Sequence, residues 1–251
     1  MRILLYIIFI FLLTKETQGQ LAQNITVIKY TNAEKLFNKN QIINTKSGSF
    51  EIAYYKEYTL YNVSSVRLEV DHSKTKDTVT KFIPVDTIIT YYVAKKNLNY
   101  GISYDCFGNT KKYPVDSLLK ALAIHDSMKG IYSYVFGKRA LIVRNKKTNN
   151  ITLEKYDVKK KILTDPDTVY KYYDYNLKGI NFSFSPTLDK QNNSKLWKIL
   201  FVFTPQNKKD RSLWQKLEVS MQIEKIKSQD NRNYIKLINR FKNDSKELSL
   251  K

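Results

Sequence analysis

The chain of 251 residues has a single cysteine, Cys106. An internal disulfide framework and a cysteine-rich zinc module are therefore excluded. Its only two histidines, His72 and His125, stand 53 residues apart, and no His-x-x-x-His or Cys-x-x-Cys spacing occurs. The usual metal-ligand patterns are absent with them. Only 7 glycines and 5 prolines are present, too few for a collagen-like, elastic or glycine-linker architecture. No Gly-x-Gly-x-x-Gly, Walker loop or Gly-x-Ser-x-Gly elbow can be drawn from them. Arginine is scarce as well, at 7 residues against 36 lysines. Acidic residues are outnumbered 23 to 43, which leaves a formal net charge of +20.

What is present is a lysine-, tyrosine-, asparagine- and isoleucine-rich chain. Phe, Tyr, Met, Ile, Asn and Lys account for 115 residues, while Gly, Ala, Arg and Pro account for 26. The first group has A/T-rich codons and the second G/C-rich ones, so part of the positive charge reflects composition. With 42% hydrophobic and 26% charged residues, the chain has the balance of a globular protein. Its length accommodates one large domain or two small ones and a core that needs no metal or disulfide.

Residues 1–19 read as a secretory signal peptide. Arg2 supplies the positive start, Ile3 to Leu13 form an unbroken apolar run, and Thr17 and Gly19 place small residues at −3 and −1 of a cut before Gln20. The run rises about 16 Å as a helix, roughly half a bilayer core. No later segment approaches the ~20 apolar residues of a membrane span, and the C-terminal tail 244–251 is polar, unlike a GPI signal. The expectation is a secreted product with no transmembrane anchor once the signal is removed. Six Asn-x-Ser/Thr sequons follow, at Asn24, Asn62, Asn150, Asn181, Asn192 and Asn243, against about three expected from composition.

The pattern beyond residue 48 is mainly β with one or two helices, an α+β class. Phe50 to Tyr61 alternates apolar and polar residues, and Val66, Leu68 and Val70 are spaced to face one way. Further strands are expected over Thr87–Val93, Tyr132–Phe136, Ala140–Val143, Ile151–Leu153, Val169–Tyr175, Ile180–Phe184 and Leu196–Phe203, with a hairpin turn over Lys146–Asn150. Asp165-Pro166-Asp167 reads as a turn whose aspartates bond the local backbone. A helix is expected over 114–129, with Pro114 in its first turn, Asp116 or Ser117 as cap and Gly130 as its stop, and a second over Tyr234–Phe241. Leu213–Lys227 fits either state.

Two segments echo each other at an offset of 90. Asp77-Thr78-Val79-Thr80-Lys81-Phe82 matches Asp167-Thr168-Val169-Tyr170-Lys171-Tyr172, with Leu68-Glu69 echoed by Leu153-Glu154 and Ile89–Ala94 by Ile180–Ser185. The pattern suggests two tandem small β-modules, 49–147 and 149–243, after an N-terminal segment 20–48. The apolar run Val66–Val70, the turn Asp71–Thr78 and the strand Thr90–Lys96 resemble the FAINT-domain proteins secreted by Theileria parasites. In that family a tryptophan strand follows, and Leu196-Trp197-Lys198 matches it in the second module; the first module has no Trp. The resemblance implies export by an intracellular parasite, often towards the host cell, and no established catalytic residues; it leaves the partner open between a host protein and a polyanion.

Chemistry-bearing constellations are few. Cys106 and His125, with Asp126 or Asp105 as orienter, are a formally available nucleophile–base combination, and no family signature surrounds the cysteine. Neither catalytic residues nor a cofactor are expected. Basic clusters rise above the background: Lys111-Lys112; Lys138-Arg139; Arg144 with Lys146-Lys147; Lys159-Lys160-Lys161; and Lys208-Lys209 with Arg211. Each falls in an expected turn or strand end, and turns that converge make a surface for a polyanion: glycan, anionic lipid or nucleic acid. Tyrosines on neighbouring strands would stack on sugars or bases. Lysine at strand edges also blocks aggregation, which gives the same clusters a purely protective role. The functional expectation is a secreted non-enzymatic host-interaction protein acting through protein or polyanion contact. The alternative is a secreted β-barrel that binds a small ligand in an aromatic-lined pocket.

Overall fold

A computed structural model describes residues 25–70, 82–122, 140–146, 150–158, 165–205 and 215–247. Eleven strands and three α-helices lie among them. The strands are β1 (Thr26–Asn38), β2 (Gln41–Tyr55), β3 (Tyr58–Val70), β4 (Phe82–Lys95), β5 (Tyr100–Asp105), β6 (Thr110–Pro114), β7 (Ala140–Lys146), β8 (Ile151–Asp157), β9 (Thr168–Asp174), β10 (Lys195–Phe203) and β11 (Lys216–Ile226). The helices are α1 (Val115–Ala121), α2 (Pro186–Asn192) and α3 (Asn231–Glu247), and a 3₁₀ turn covers Tyr175–Leu177. The class is mainly β, as the alternation in the sequence indicates, with one helix more than expected.

The chain divides into two compact units. The first draws on the spans Met1–Val27, Phe50–Leu118 and Ile226–Lys251, the second on Ile28–Ser49 and Leu119–Lys225. These bounds differ from modules at 49–147 and 149–243, because Ile226 onward, including α3, belongs with the first unit.

In the first unit β6-β5-β4-β3 continue into the Phe50–Tyr55 end of β2, with antiparallel pairing throughout. The helix α3 covers one face. Its Tyr234, Ile238 and Phe241, spaced three to four apart, bury against Ala53, Leu60, Val93 and Ile102. Phe241 meets the Tyr58 ring edge-on, with centroids 6.0 Å apart. Beneath the helix the Tyr234 hydroxyl donates to Glu51 Oε2 at 2.5 Å and accepts from Asn62 Nδ2 at 3.1 Å. The amide of the Asn62 sequon is thus engaged inside the fold. At Gly101 on β5 an added Cβ would lie 2.6 Å from the Val93 carbonyl and inside the Tyr113 ring. Gly101→Ala should therefore destabilise by about 1–3 kcal/mol through overpacking, read as a lower denaturation midpoint at unchanged m-value.

In the second unit the strand order is β1-β11-β10-β9-β8-β7. Burial along β9 alternates strictly: Val169, Lys171 and Tyr173 are buried, while Tyr170 and Tyr172 are half-buried. Leu196, Ile199 and Phe201 of β10 and Met221 and Ile223 of β11 join this core. Phe182 and Phe184, perpendicular at 5.1 Å, both pack on Tyr30.

Several expectations are corrected. Phe50–Tyr61 is two strands, broken by a turn in which Lys56 takes φ +54°. Ile180–Phe184 is not a strand, although its phenylalanines alternate with polar residues and are buried. Local bonds, one from the preceding turn and others through Ser183, hold it instead. The Ile180 N–H donates to the Leu177 carbonyl, and Ser183 Oγ accepts from Ser185 N while donating to Asp189. The echo of Ile89–Ala94 in Ile180–Ser185 thus joins a strand to an irregular segment. The register of β3 against β4 shifts between Arg67 and Leu68, and Val66 is 55% exposed. Pro114 ends β6 rather than opening the helix, which starts at Val115. The Asp167 carboxylate reaches Thr204, 37 residues along the chain, and accepts from its N and Oγ1, both at 2.6 Å. The strand expected at Tyr132–Phe136, the residues of the 114–129 helix beyond 122, and Asp77–Lys81 lie outside the described residues.

Candidate polyanion-binding face

The face of β8–β11 opposite the second unit's core collects aromatic rings and ammonium groups. Side chains two apart on a strand share a face, as do antiparallel partners directly opposite. Tyr170 and Tyr172 therefore lie on one face with Lys155, which pairs with Tyr170, and Lys198, which pairs with Tyr172. The Lys155 ammonium sits 5.7 Å from the Tyr170 centroid and the Lys198 ammonium 5.4 Å from that of Tyr172. Such placements over the negative ring face are attractive by roughly 0.5–1 kcal/mol at exposed sites. Trp197 occupies the register shift between Leu196 and Lys198, and this brings its ring to 6.0 Å from Tyr172, tilted by 61°. Burial, with lesser contributions from Tyr170 and Glu218, raises the Tyr172 hydroxyl pKa. The phenol is therefore neutral at physiological pH, and the charge of the face comes from its lysines. Lys216 extends the lysine set on β11, 2.9 Å from Glu218 and 4.0 Å from the Phe37 centroid.

The basic clusters read from sequence are distributed differently. Lys111 and Lys112 lie within strand β6, not in a turn, and are exposed. The Lys112 ammonium stands 4.1 Å over the Tyr100 ring. Arg144 is within β7 and is committed to the fold: Nε and Nη2 donate to Glu154 Oε1 at 2.9 and 2.5 Å, and Nη2 donates to Asn192 Oδ1 at 2.6 Å. Lys146 is the last residue of β7. Lys111 and Lys112 belong to the first unit, Arg144 and Lys146 to the second. Lys138, Arg139, Lys147, Lys159, Lys160, Lys161, Lys208, Lys209 and Arg211 lie outside the described residues. The lysines of the tyrosine face, Lys155 and Lys198, are isolated in sequence. Only strand pairing brings them together; the pair Tyr170 and Tyr172, two apart on β9, is the one readable sign.

Cys106 is an exposed free thiol in the turn between β5 and β6. Asp105, named as an orienter for Cys106 chemistry, has its carboxylate occupied by this turn. Oδ1 accepts from Phe107 N at 3.0 Å and Asn109 N at 2.8 Å, and Oδ2 from Asn109 Nδ2 at 2.9 Å. These bonds, led by that from the Asn109 side chain, lower its pKa. His125 lies outside the described residues. Among the described residues, no three His, Cys, Asp or Glu side chains gather as metal ligands, and no helix is long and apolar enough to cross a membrane. No protein family matches the chain, and no curated protein matches it either.

Proposed function

We propose that this chain is a secreted, non-enzymatic binding protein of the FAINT type, which contacts a host polyanion through the tyrosine–lysine face of β8–β11. The observation that carries this reading is the side-by-side placement of Tyr170 and Tyr172, each with a lysine ammonium over its ring. Rings offer a stacking surface to sugars or bases, and ammonium groups offer point charges to sulfates or phosphates. The formal charge of +20 adds long-range attraction to the same class of ligand.

Heparin and duplex DNA test the reading together. For about six phosphate-like contacts on DNA, log K should fall against log salt with a slope near −5. Lys155→Ser with Lys198→Ser should reduce that slope by up to about 2. Replacing Lys159, Lys160 and Lys161, which follow β8 in the chain, should reduce it by up to about 3. Elution of the unaltered protein from heparin below about 0.2 M salt would mean dispersed charge, since screening over ~8 Å already defeats it there. The lysines would then serve composition and edge protection, and the reading would fall.

A further inference from the structure

The geometry points to a second, smaller ligand site in the second unit: a cleft of about 270 Å³, bounded by Lys178, Lys190, Lys195, Asn193 and Ser194, that takes a sulfated sugar residue. This rests on the polyanion reading and names its ligand class.

The 3₁₀ turn at Tyr175–Leu177 is fixed at its start by Asp174, whose side chain accepts from Asn176 N at 2.8 Å. In a 3₁₀ turn, residues three apart eclipse one another. The Lys178 ammonium consequently lies 5.5 Å from the Tyr175 ring centroid, while the ring remains 50% exposed. Lys178 Nζ also donates to Asn193 Oδ1. Asn193 ends α2 in the left-handed region, at φ +49°, and its own N–H caps the carbonyls of Asp189 and Lys190. The terminal carbonyls of α2 thus have a donor already.

The one carboxylate at the cleft is fully occupied. Asp189 Oδ1 accepts from Leu196 N at 2.7 Å, and Oδ2 accepts from Ser183 Oγ at 2.7 Å and Lys195 Nζ at 2.8 Å. Lys195 is thereby balanced and buried, with 8% of its side chain exposed. Lys178 and Lys190 are both exposed, and neither has a carboxylate partner among the described residues. Three ammonium groups against one carboxylate leave the cleft with a surplus of two positive charges. Its occupant is an anion.

Two features narrow the occupant. The volume falls just under the ~300–1,000 Å³ of ordinary small-molecule pockets, so the cleft fits one sugar unit. The Tyr175 ring is outside the lining but 5.5 Å from the Lys178 ammonium at the cleft's edge; it offers packing to the apolar C–H face of a pyranose that extends past Lys178, and lysine ammoniums pair with a sulfate ester as point charges. A nucleic-acid strand would call for successive rings on which to stack bases, and the lining of the cleft holds no ring, with Tyr175 at its edge beyond Lys178.

Titration calorimetry with a sulfated heparin disaccharide tests the site, using its unsulfated counterpart, inorganic sulfate and a short single-stranded DNA as comparison probes. Lys178→Ala with Lys190→Ala should weaken the sulfated disaccharide about tenfold or more, and Tyr175→Ala by about threefold or more, each exposed and tolerant of truncation. The control Lys111→Ser with Lys112→Ser removes the same charge from the first unit and should change it less than about twofold. The site is overturned if the control weakens binding equally, if the disaccharide binds no better than inorganic sulfate, or if the DNA binds through the same lysines more tightly. Salt-sensitive heparin binding with no disaccharide dependence on the cleft would sink this site and leave the wider polyanion reading standing. Failure to bind heparin at all would sink both.

Discussion

Raising the pH above about 10 should unfold the protein cooperatively, with loss of strand signal and the appearance of buried phenolates in one transition. Tyr104, Tyr113 and Tyr234 in the first unit, and Tyr156 and Tyr173 in the second, all have pKa values raised well beyond the ordinary tyrosine range, with burial as the leading cause. Three of them also donate to carboxylates: Tyr104 to Asp244 at 3.0 Å, Tyr234 to Glu51 and Tyr156 to Glu154. A phenolate in any of these places would face a negative charge across a hydrogen bond it can no longer donate. An unfolded tyrosine gives up its proton near pH 10, whereas the folded one holds it. The native state then binds more protons than the unfolded state, so stability is fully present below that pH and falls above it. Each such group removes up to about 1.4 kcal/mol per pH unit, and three in one unit remove about 4. Against a net stability of about 5–15 kcal/mol, roughly one to four pH units suffice. Far-ultraviolet circular dichroism and phenolate absorbance, recorded on one sample, check this. Complete titration of the phenols near pH 10 with strand signal intact would show that these tyrosines are not held in a packed interior. Tyr234→Phe should flatten the pH slope by the share of one group, which separates the phenols from lysines that lose their charge over the same range.

How the same tyrosines are arranged was only partly legible in the sequence. The strand at Thr168–Asp174 could be read because Thr, Val and Tyr dominate it, but its buried face could not, since the charged Lys171 falls on it. The break at Lys56 could not, because a turn is normally signalled by glycine where φ is positive. In this glycine-poor chain those positions fall to other residues: Lys39, Asn40, Lys56, Asn97 and Asn193 all have positive φ. Asparagine tolerates that region, but with 21 asparagines a single one marks nothing. Phe182 and Phe184 misled for a different reason. Alternating burial gives the appearance of a strand, and whether a neighbouring strand exists to pair with it is not a local property. The first unit's core was the least legible part. Tyr234, Ile238 and Phe241 meet Leu60 and Val93 across more than 140 residues of chain, and no local period records which sheet an amphipathic helix covers. The tyrosine–lysine face failed to show for the same reason. Lys155 and Lys198 stand singly, and the clusters that drew attention include Arg144, which the fold itself uses.

Replacing Glu154 by alanine should cost about 3–5 kcal/mol, the range for breaking a buried charged pair, and it should cost more than removing Arg144. The asymmetry follows from exposure. The Glu154 side chain is 3% exposed, while that of Arg144 is 54% exposed. The carboxylate accepts from Arg144 on Oε1 and from the Tyr156 hydroxyl on Oε2 at 2.7 Å. Directly across the β8–β9 ladder from it is Lys171, itself only 5% exposed, with its ammonium 4.2 Å from the Tyr156 centroid. Removing Glu154 deprives two buried groups of a facing acceptor. Removing Arg144 leaves the carboxylate opposite the Lys171 charge and still bonded to Tyr156, so Arg144→Ala should cost only about 1–2 kcal/mol, near the value of a hydrogen bond to a charged group. Glu154→Gln keeps the shape and an acceptor oxygen but loses the charge, and should fall between the two. Chemical denaturation of the three variants gives the order directly. Equal costs for Glu154→Ala and Arg144→Ala would mean that Lys171 does not balance the carboxylate. Binding separates this structural arginine from the ligand face: folded Arg144→Ala should elute from heparin close to the unaltered protein, whereas Lys155→Ser with Lys198→Ser should elute at clearly lower salt. A large loss of heparin binding in Arg144→Ala with stability preserved would place the arginine in the ligand surface and reverse the assignment.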